Sequence, residues 1–157
     1  MIKQFLLYSS LLSCMCLSGC ATATLAPSDS YNLTPYRGIP EPSQGKAVVC
    51  YYRIWRFGGG GATFYVFQDN KIVGVAHRGT YFCHETLPGE YSYYVEWGNI
   101  GDKTRTSTII RPEANRQYFI SFDVMKEVSK SLAIKEMEGM EYVDLIKMPD
   151  NMLTPQI

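Results

Sequence analysis

Apolar and polar residues alternate with a period of two through most of the chain's second half. In "EYSYYVEW" Tyr91, Tyr93, Val95 and Trp97 fall on one face, and Ser92, Tyr94 and Glu96 on the other. "QYFISFDV" places Tyr118, Ile120, Phe122 and Val124 together in the same way. "KAVVCYYRIWRF" is a denser run of β-branched and aromatic residues, and Gly58–Gly61 ends it. "ATFYVFQ" and "KIVGVA" flank Asp69-Asn70, two residues that tolerate positive φ, so a hairpin is expected there. "GTYFCHE" follows. Leu87-Pro88-Gly89-Glu90 has Pro and Gly in the order of a type II turn. "TRTSTIIR" and "SLAIKEM" read as later strands. In "EGMEYVDLIKM" Tyr142, Leu145 and Ile146 recur at helical spacing, which predicts a short C-terminal helix. Short strands separated by turn signals, with no long helical pattern between them, predict an all-β fold, a small antiparallel β-sandwich over residues 46–148.

The first third follows another pattern. Met1 to Gln4 carries one Lys, Phe5 to Leu17 is mostly apolar, and small residues Ser18 and Gly19 follow. This is the layout of an export signal, and the apolar run is shorter than the roughly 20 residues that span a bilayer. Residues 21–45 hold four Pro, three Ser and two Gly, which predicts a disordered tether that would reach roughly 80 Å if extended. Tyr31, Tyr36 and Ile39 are its candidates for docking on the domain or on a partner. The expected organisation is a signal peptide over 1–19, a lipidated N-terminus and tether over 20–45, the sandwich over 46–148 and a tail over 149–157.

Leu17-Ser18-Gly19-Cys20 resembles the lipobox of bacterial lipoproteins. The resemblance implies cleavage between Gly19 and Cys20, a diacylglycerol on the Cys20 thiol and an acyl group, commonly palmitate, on its new amino group. Thiolate nucleophilicity makes Cys the acceptor. Each buried CH₂ adds about 0.8 kcal/mol to anchoring, so several chains hold far better than one. Ala21 stands where Asp would imply inner-membrane retention. The resemblance therefore implies the outer membrane, facing the periplasm, in a Gram-negative cell.

A second resemblance covers roughly residues 46–138. "AVVCYYR", then "FQDNKIVGVAHRGTYFCHETLPGEYSYYVEW", then "NRQYFISFDV" is similar to the bacterial lipoprotein family labelled domain of unknown function 2846. That likeness implies a sandwich of the transthyretin-like or PEGA-like kind and brings no catalytic residues with it.

Charge and chemistry narrow the picture further. Lys plus Arg and Asp plus Glu are 15 each, so no net field draws nucleic acid, and no nucleic-acid partner is expected. Cys14 and Cys16 lie in the signal, which leaves Cys50 and Cys83 as the thiols of the mature domain. An exported chain meets oxidising conditions, so a disulfide or two buried thiols are the expected states, with a catalytic or ligating role as the remaining reading.

His84 adjoins Cys83 and Glu85, yet neighbouring strand residues point to opposite faces and no spaced Cys or His cluster completes a metal site. Solvent-facing or capped imidazoles are expected at His77 and His84. Gly58–Gly61 lacks the Lys-Ser/Thr and helix of a phosphate loop. No catalytic residue, metal or cofactor is expected beyond the covalent lipid. Twelve Tyr and two Trp are plentiful, and most should serve as core. These features predict a non-enzymatic interaction or structural module of the cell envelope, with an envelope protein as partner. The alternative is a small-ligand or glycan-binding lipoprotein that uses exposed aromatics.

Overall fold

The computed structural model describes residues 25–55, 61–99 and 102–146, with backbone alone at 97–99 and 102–104. Gly19, Cys20, Gly58–Gly60, the Trp97 side chain and residues 149–157 lie outside this description. The strands in chain order are β1 (Tyr31–Thr34), β2 (Ala47–Arg53), β3 (Phe64–Gln68), β4 (Lys71–Ala76) and β5 (Thr80–Thr86). They continue with β6 (Tyr91–Asn99), β7 (Asp102–Ile110), β8 (Gln117–Ser121), β9 (Lys126–Val128) and β10 (Glu141–Leu145). One helix, α1, spans Lys130–Met137.

These strands form a sandwich of two sheets. One sheet has the order β4-β3-β6-β7 and the other β1-β10-β5-β2-β8-β9. The all-β architecture with one short helix is therefore present. Most pairings are antiparallel, while β2 with β8 and β10 with β5 run parallel.

Strand β2 organises the core. All seven of its residues are buried because both of its faces are covered. Val49 and Tyr51 enter the cluster between the sheets, together with Val66, Phe82, Tyr93, Val95 and Ile120. Val48, Cys50 and Tyr52 enter a second cluster with Ala133 and Met137 of α1 and Met140 beyond it. A third layer thus lies on the outer face of the larger sheet.

Several expectations about local structure are corrected. "SLAIKEM" forms α1 and not a strand. The Ser129 hydroxyl accepts a hydrogen bond from the Leu132 N–H and caps the helix, while Ala133 and Met137, four apart, share its buried face. "EYVDL" is strand β10 and not a helix. It pairs with β1 from Tyr31↔Leu145 to Thr34↔Tyr142, a contact that local periodicity does not report.

The hairpin at Asp69-Asn70 forms, with Gln68 opposite Lys71. Of the two turn residues only Asp69 takes positive φ (52°), so the turn is not of the I′ type, which needs positive φ at both. Asp69 also clamps the neighbouring strand: its N–H donates to the Ser92 carbonyl (2.7 Å) and its Oδ1 accepts from the Ser92 N–H (2.9 Å). Gly89 has no positive φ, so its connection is not a type II turn. Val124 is exposed and does not continue the buried face of Ile120 and Phe122, because the chain turns at Met125 (φ 45°) into β9.

The largest correction concerns the tether. Residues 25–45 lie against the sandwich. Leu25 bridges to Phe64, and the Ala26 N–H donates to the Thr63 carbonyl (2.9 Å). The Arg37 N–H donates to Tyr81 Oη (2.9 Å), and that hydroxyl donates to the Gly38 carbonyl (3.0 Å). Ile39 packs on the α1-side cluster, and the Ser43 N–H donates to the Glu85 carboxylate (2.8 Å). A Pro-rich composition favours disorder, but Tyr31, Tyr36 and Ile39 have apolar surface to bury and the sheet offers an edge. Tyr36 stacks obliquely on Tyr81 at 5.3 Å.

Candidate functional site

Cys50 and Cys83 are opposite one another in the antiparallel pairing of β2 and β5. Their Cα atoms are 4.0 Å apart and their sulfurs are bonded. Of the two states open from sequence, the structure takes the disulfide. The adjacent His84 points away from it, as strand alternation requires. His84 Nε2 lies 3.1 Å from Tyr93 Oη, across the sandwich, and Nδ1 lies 3.3 Å from the Glu85 carbonyl. A neutral imidazole satisfies both contacts, donating from Nδ1 and accepting at Nε2.

Burial pushes the His84 pKa down to about 4, a backbone bond to Glu85 opposes that, and Lys71 adds to it. His77 is also held below its ordinary value, by burial first and then by Arg53 and Arg78. Its Nδ1 lies 2.8 Å from Thr63 Oγ1 and 3.3 Å from Tyr31 Oη. Both imidazoles are thus half-buried and capped by hydrogen bonds to the fold, the second of the two states expected. Among the described residues no three His, Cys, Asp or Glu side chains come together to hold a metal ion.

One end of the sandwich gathers features that individual strands did not reveal. The end of β2, the start of β3 and the turn from β4 to β5 meet there: Arg53 pairs with Thr80 and Phe64 with Ala76. Two left-handed glycines shape the junction. Gly79 (φ 73°) donates its N–H to the Arg53 carbonyl (2.9 Å). Gly139 (φ 79°) follows α1 and turns the chain so that the Glu141 N–H donates to the Gly79 carbonyl (3.3 Å).

Arg53 fastens this end from inside. Its Nη1 donates to the Ala62 carbonyl (2.7 Å), and its guanidinium lies 4.6 Å over the Phe122 ring. Trp55, two residues on, is 65% exposed, which makes it the least buried of the large hydrophobic residues described. The Arg78 guanidinium stacks on its ring at 4.3 Å.

Beside Trp55 is a cleft of about 430 Å³, lined also by Ile54, Gly79, Glu136, Glu138 and Met140. Glu136 accepts a hydrogen bond from Tyr52 Oη, and burial with this carboxylate pushes the Tyr52 phenol upward. An indole edge, two apolar side chains and two carboxylates give the cleft the chemistry to hold a sugar ring or an organic cation. A second cleft, of about 480 Å³, lies near Glu41, Arg116, Gln117 and Lys130. Its polar groups already bond one another: Lys130 Nζ donates to Gln117 Oε1 (2.6 Å), and Gln117 Nε2 donates to the Pro40 carbonyl (2.8 Å).

Sequence reasoning anticipated an aromatic patch but did not name Trp55 or Arg78. The signal was present in the order of residues: Trp55 stands three positions before a run of four glycines, close to where the strand must end. Comparison with protein-family models, with curated proteins and with solved structures finds no match, so the likeness to the domain of unknown function 2846 family rests on its quoted segments alone.

Proposed function

We propose that the chain is a bacterial lipoprotein anchored through Cys20, facing the periplasm from the outer membrane. Its sandwich would serve as a non-enzymatic interaction or structural module of the envelope. The cysteine pattern carries this reading. Of five cysteines, Cys14 and Cys16 fall in the apolar leader, Cys20 ends the lipobox, and Cys50 and Cys83 are bonded to each other. Lipidation of Cys20 would leave the mature chain without a free thiol, as suits an exported protein. Palmitate labelling tests it: wild type should take up label and fractionate with membranes, and Cys20→Ser should take up none.

A second reading, a small-ligand or glycan-binding lipoprotein, is favoured by the cleft at Trp55, where an exposed indole stands beside Glu136 and Glu138. Titration of the domain with muropeptides tests it through indole fluorescence. A saturable change that Trp55→Ala abolishes supports this reading, and an invariant spectrum removes it.

A further inference from the structure

We infer that the sandwich rests directly on the bilayer, with the end bearing Leu25, Trp55 and Arg78 turned toward the lipid. This inference rests on the proposed lipidation of Cys20. From Cys20 to Leu25 there are only five peptide steps, and a chain of that length spans at most about 18 Å by any path. Part of that reach is used within the headgroup layer, where the diacylglycerol sits; each such layer is about 5–8 Å deep.

Leu25 is not free to drift from the body. It bridges to Phe64, and the next residue donates to Thr63. The spacer expected from sequence is therefore folded onto the domain, and its free reach falls several-fold.

The anchor point fixes which end faces the membrane. Thr63, hydrogen-bonded to Ala26, also touches His77, whose neighbour Arg78 covers Trp55. Leu25 is 44% exposed and Trp55 65%. An exposed indole with a cation on its face is suited to the headgroup boundary, where Trp and Arg find both apolar and polar surroundings. Glu136 and Glu138 border the same end, so it carries both signs of charge. The contact is consequently interfacial and short-range, and it depends little on anionic lipid or on salt.

The test uses the lipidated full-length protein carrying Trp97→Phe, which leaves Trp55 as the single indole. It is reconstituted in phosphatidylethanolamine vesicles with a minority of phosphatidylglycerol, and intact mass first establishes the lipid on Cys20. With lipids brominated near the headgroup end of the chain, Trp55 should lose about half its emission, and deep bromines should quench less. The loss should persist at high salt. No quenching from a lipidated, vesicle-bound protein overturns the orientation while leaving the anchor standing. An unmodified Cys20 overturns both together. If Trp97→Phe does not fold, hydrogen exchange on the wild-type protein replaces it. Slower exchange at residues 53–55, 62–64 and 77–79 on vesicles than in detergent supports the inference, and equal exchange contradicts it.

Discussion

Gly74 of β4 lies directly beneath the ring of Phe82 of β5, so close that a Cβ on Gly74 would stand 2.4 Å from the ring. The two sheets meet at this point, and the absence of a side chain sets their spacing. Gly74→Ala should therefore lower stability by about 1–3 kcal/mol in urea unfolding. Phe82→Leu in the same chain should recover part of that loss, a coupling that a double-mutant cycle reads directly. Additive losses would contradict the packing described.

The Cys50–Cys83 bridge closes a loop with a sequence separation of 33. In the chain-entropy model that constrains the unfolded state by about 3–4 kcal/mol. The double variant Cys50→Ala/Cys83→Ala should lose stability of that order. Reductant should bring the wild type to the same midpoint and leave the variant unchanged.

His84 makes stability depend on pH in a definite direction. Its folded pKa, about 4, lies below the ordinary value of 6.5. Above about pH 6.5 the imidazole is neutral in both states and its environment exacts no penalty. As pH falls from 6.5 toward 4, the unfolded chain takes up the proton first and stability declines, by roughly 2–3 kcal/mol in total. His77 acts in the same direction. Between pH 7 and 5, above the main carboxylate range, His84→Gln should lose less stability than the wild type. Equal slopes for the two would contradict burial of a neutral His84.

Arg53 binds three segments at the Trp55 end through the Ala62 and Ala76 carbonyls and the Phe122 ring. Arg53→Met keeps much of the volume but leaves the Ala62 carbonyl without this donor, which should cost about 1–3 kcal/mol. Arg53→Lys should recover little, because an ammonium has neither the planar fork nor the stacking face. Thermal unfolding of the three proteins checks the order.

The legibility of this fold varied with the range of the interactions that decide it. The hairpin of β3 and β4 was readable because Asp69-Asn70 and two short apolar runs settle it locally. The bonded cysteines were placed only as alternatives, because register across β2 and β5 is a nonlocal property. At the C-terminal end the local pattern misled. Leu132 and Ile134 alternate like a strand, yet both are largely exposed, and the Ser129 cap with Ala133 and Met137 makes the helix. Tyr142, Leu145 and Ile146 are spaced like a helix, yet an edge partner more than a hundred residues earlier, Tyr31–Thr34, draws Tyr142 and Leu145 into a sheet. That same pairing converts the supposed spacer into part of the body. The site was less legible still, since a surplus of aromatics does not say which ring stays outside. Trp55 stays outside because β2 ends before it, and among the described residues the Arg78 guanidinium lies over its ring.

The anchor on Cys20 underlies both the proposed location and the orientation on the bilayer, and it is read by intact-mass analysis of the membrane-extracted protein. The expected mass is that of a mature chain that begins at Cys20 and carries diacylglycerol and an acyl group. Cys20→Ser should be left unprocessed or move to the soluble fraction. A chain that retains residues 1–19 with an unmodified Cys20, or a Cys20→Ser protein that matures and partitions as the wild type does, would contradict it.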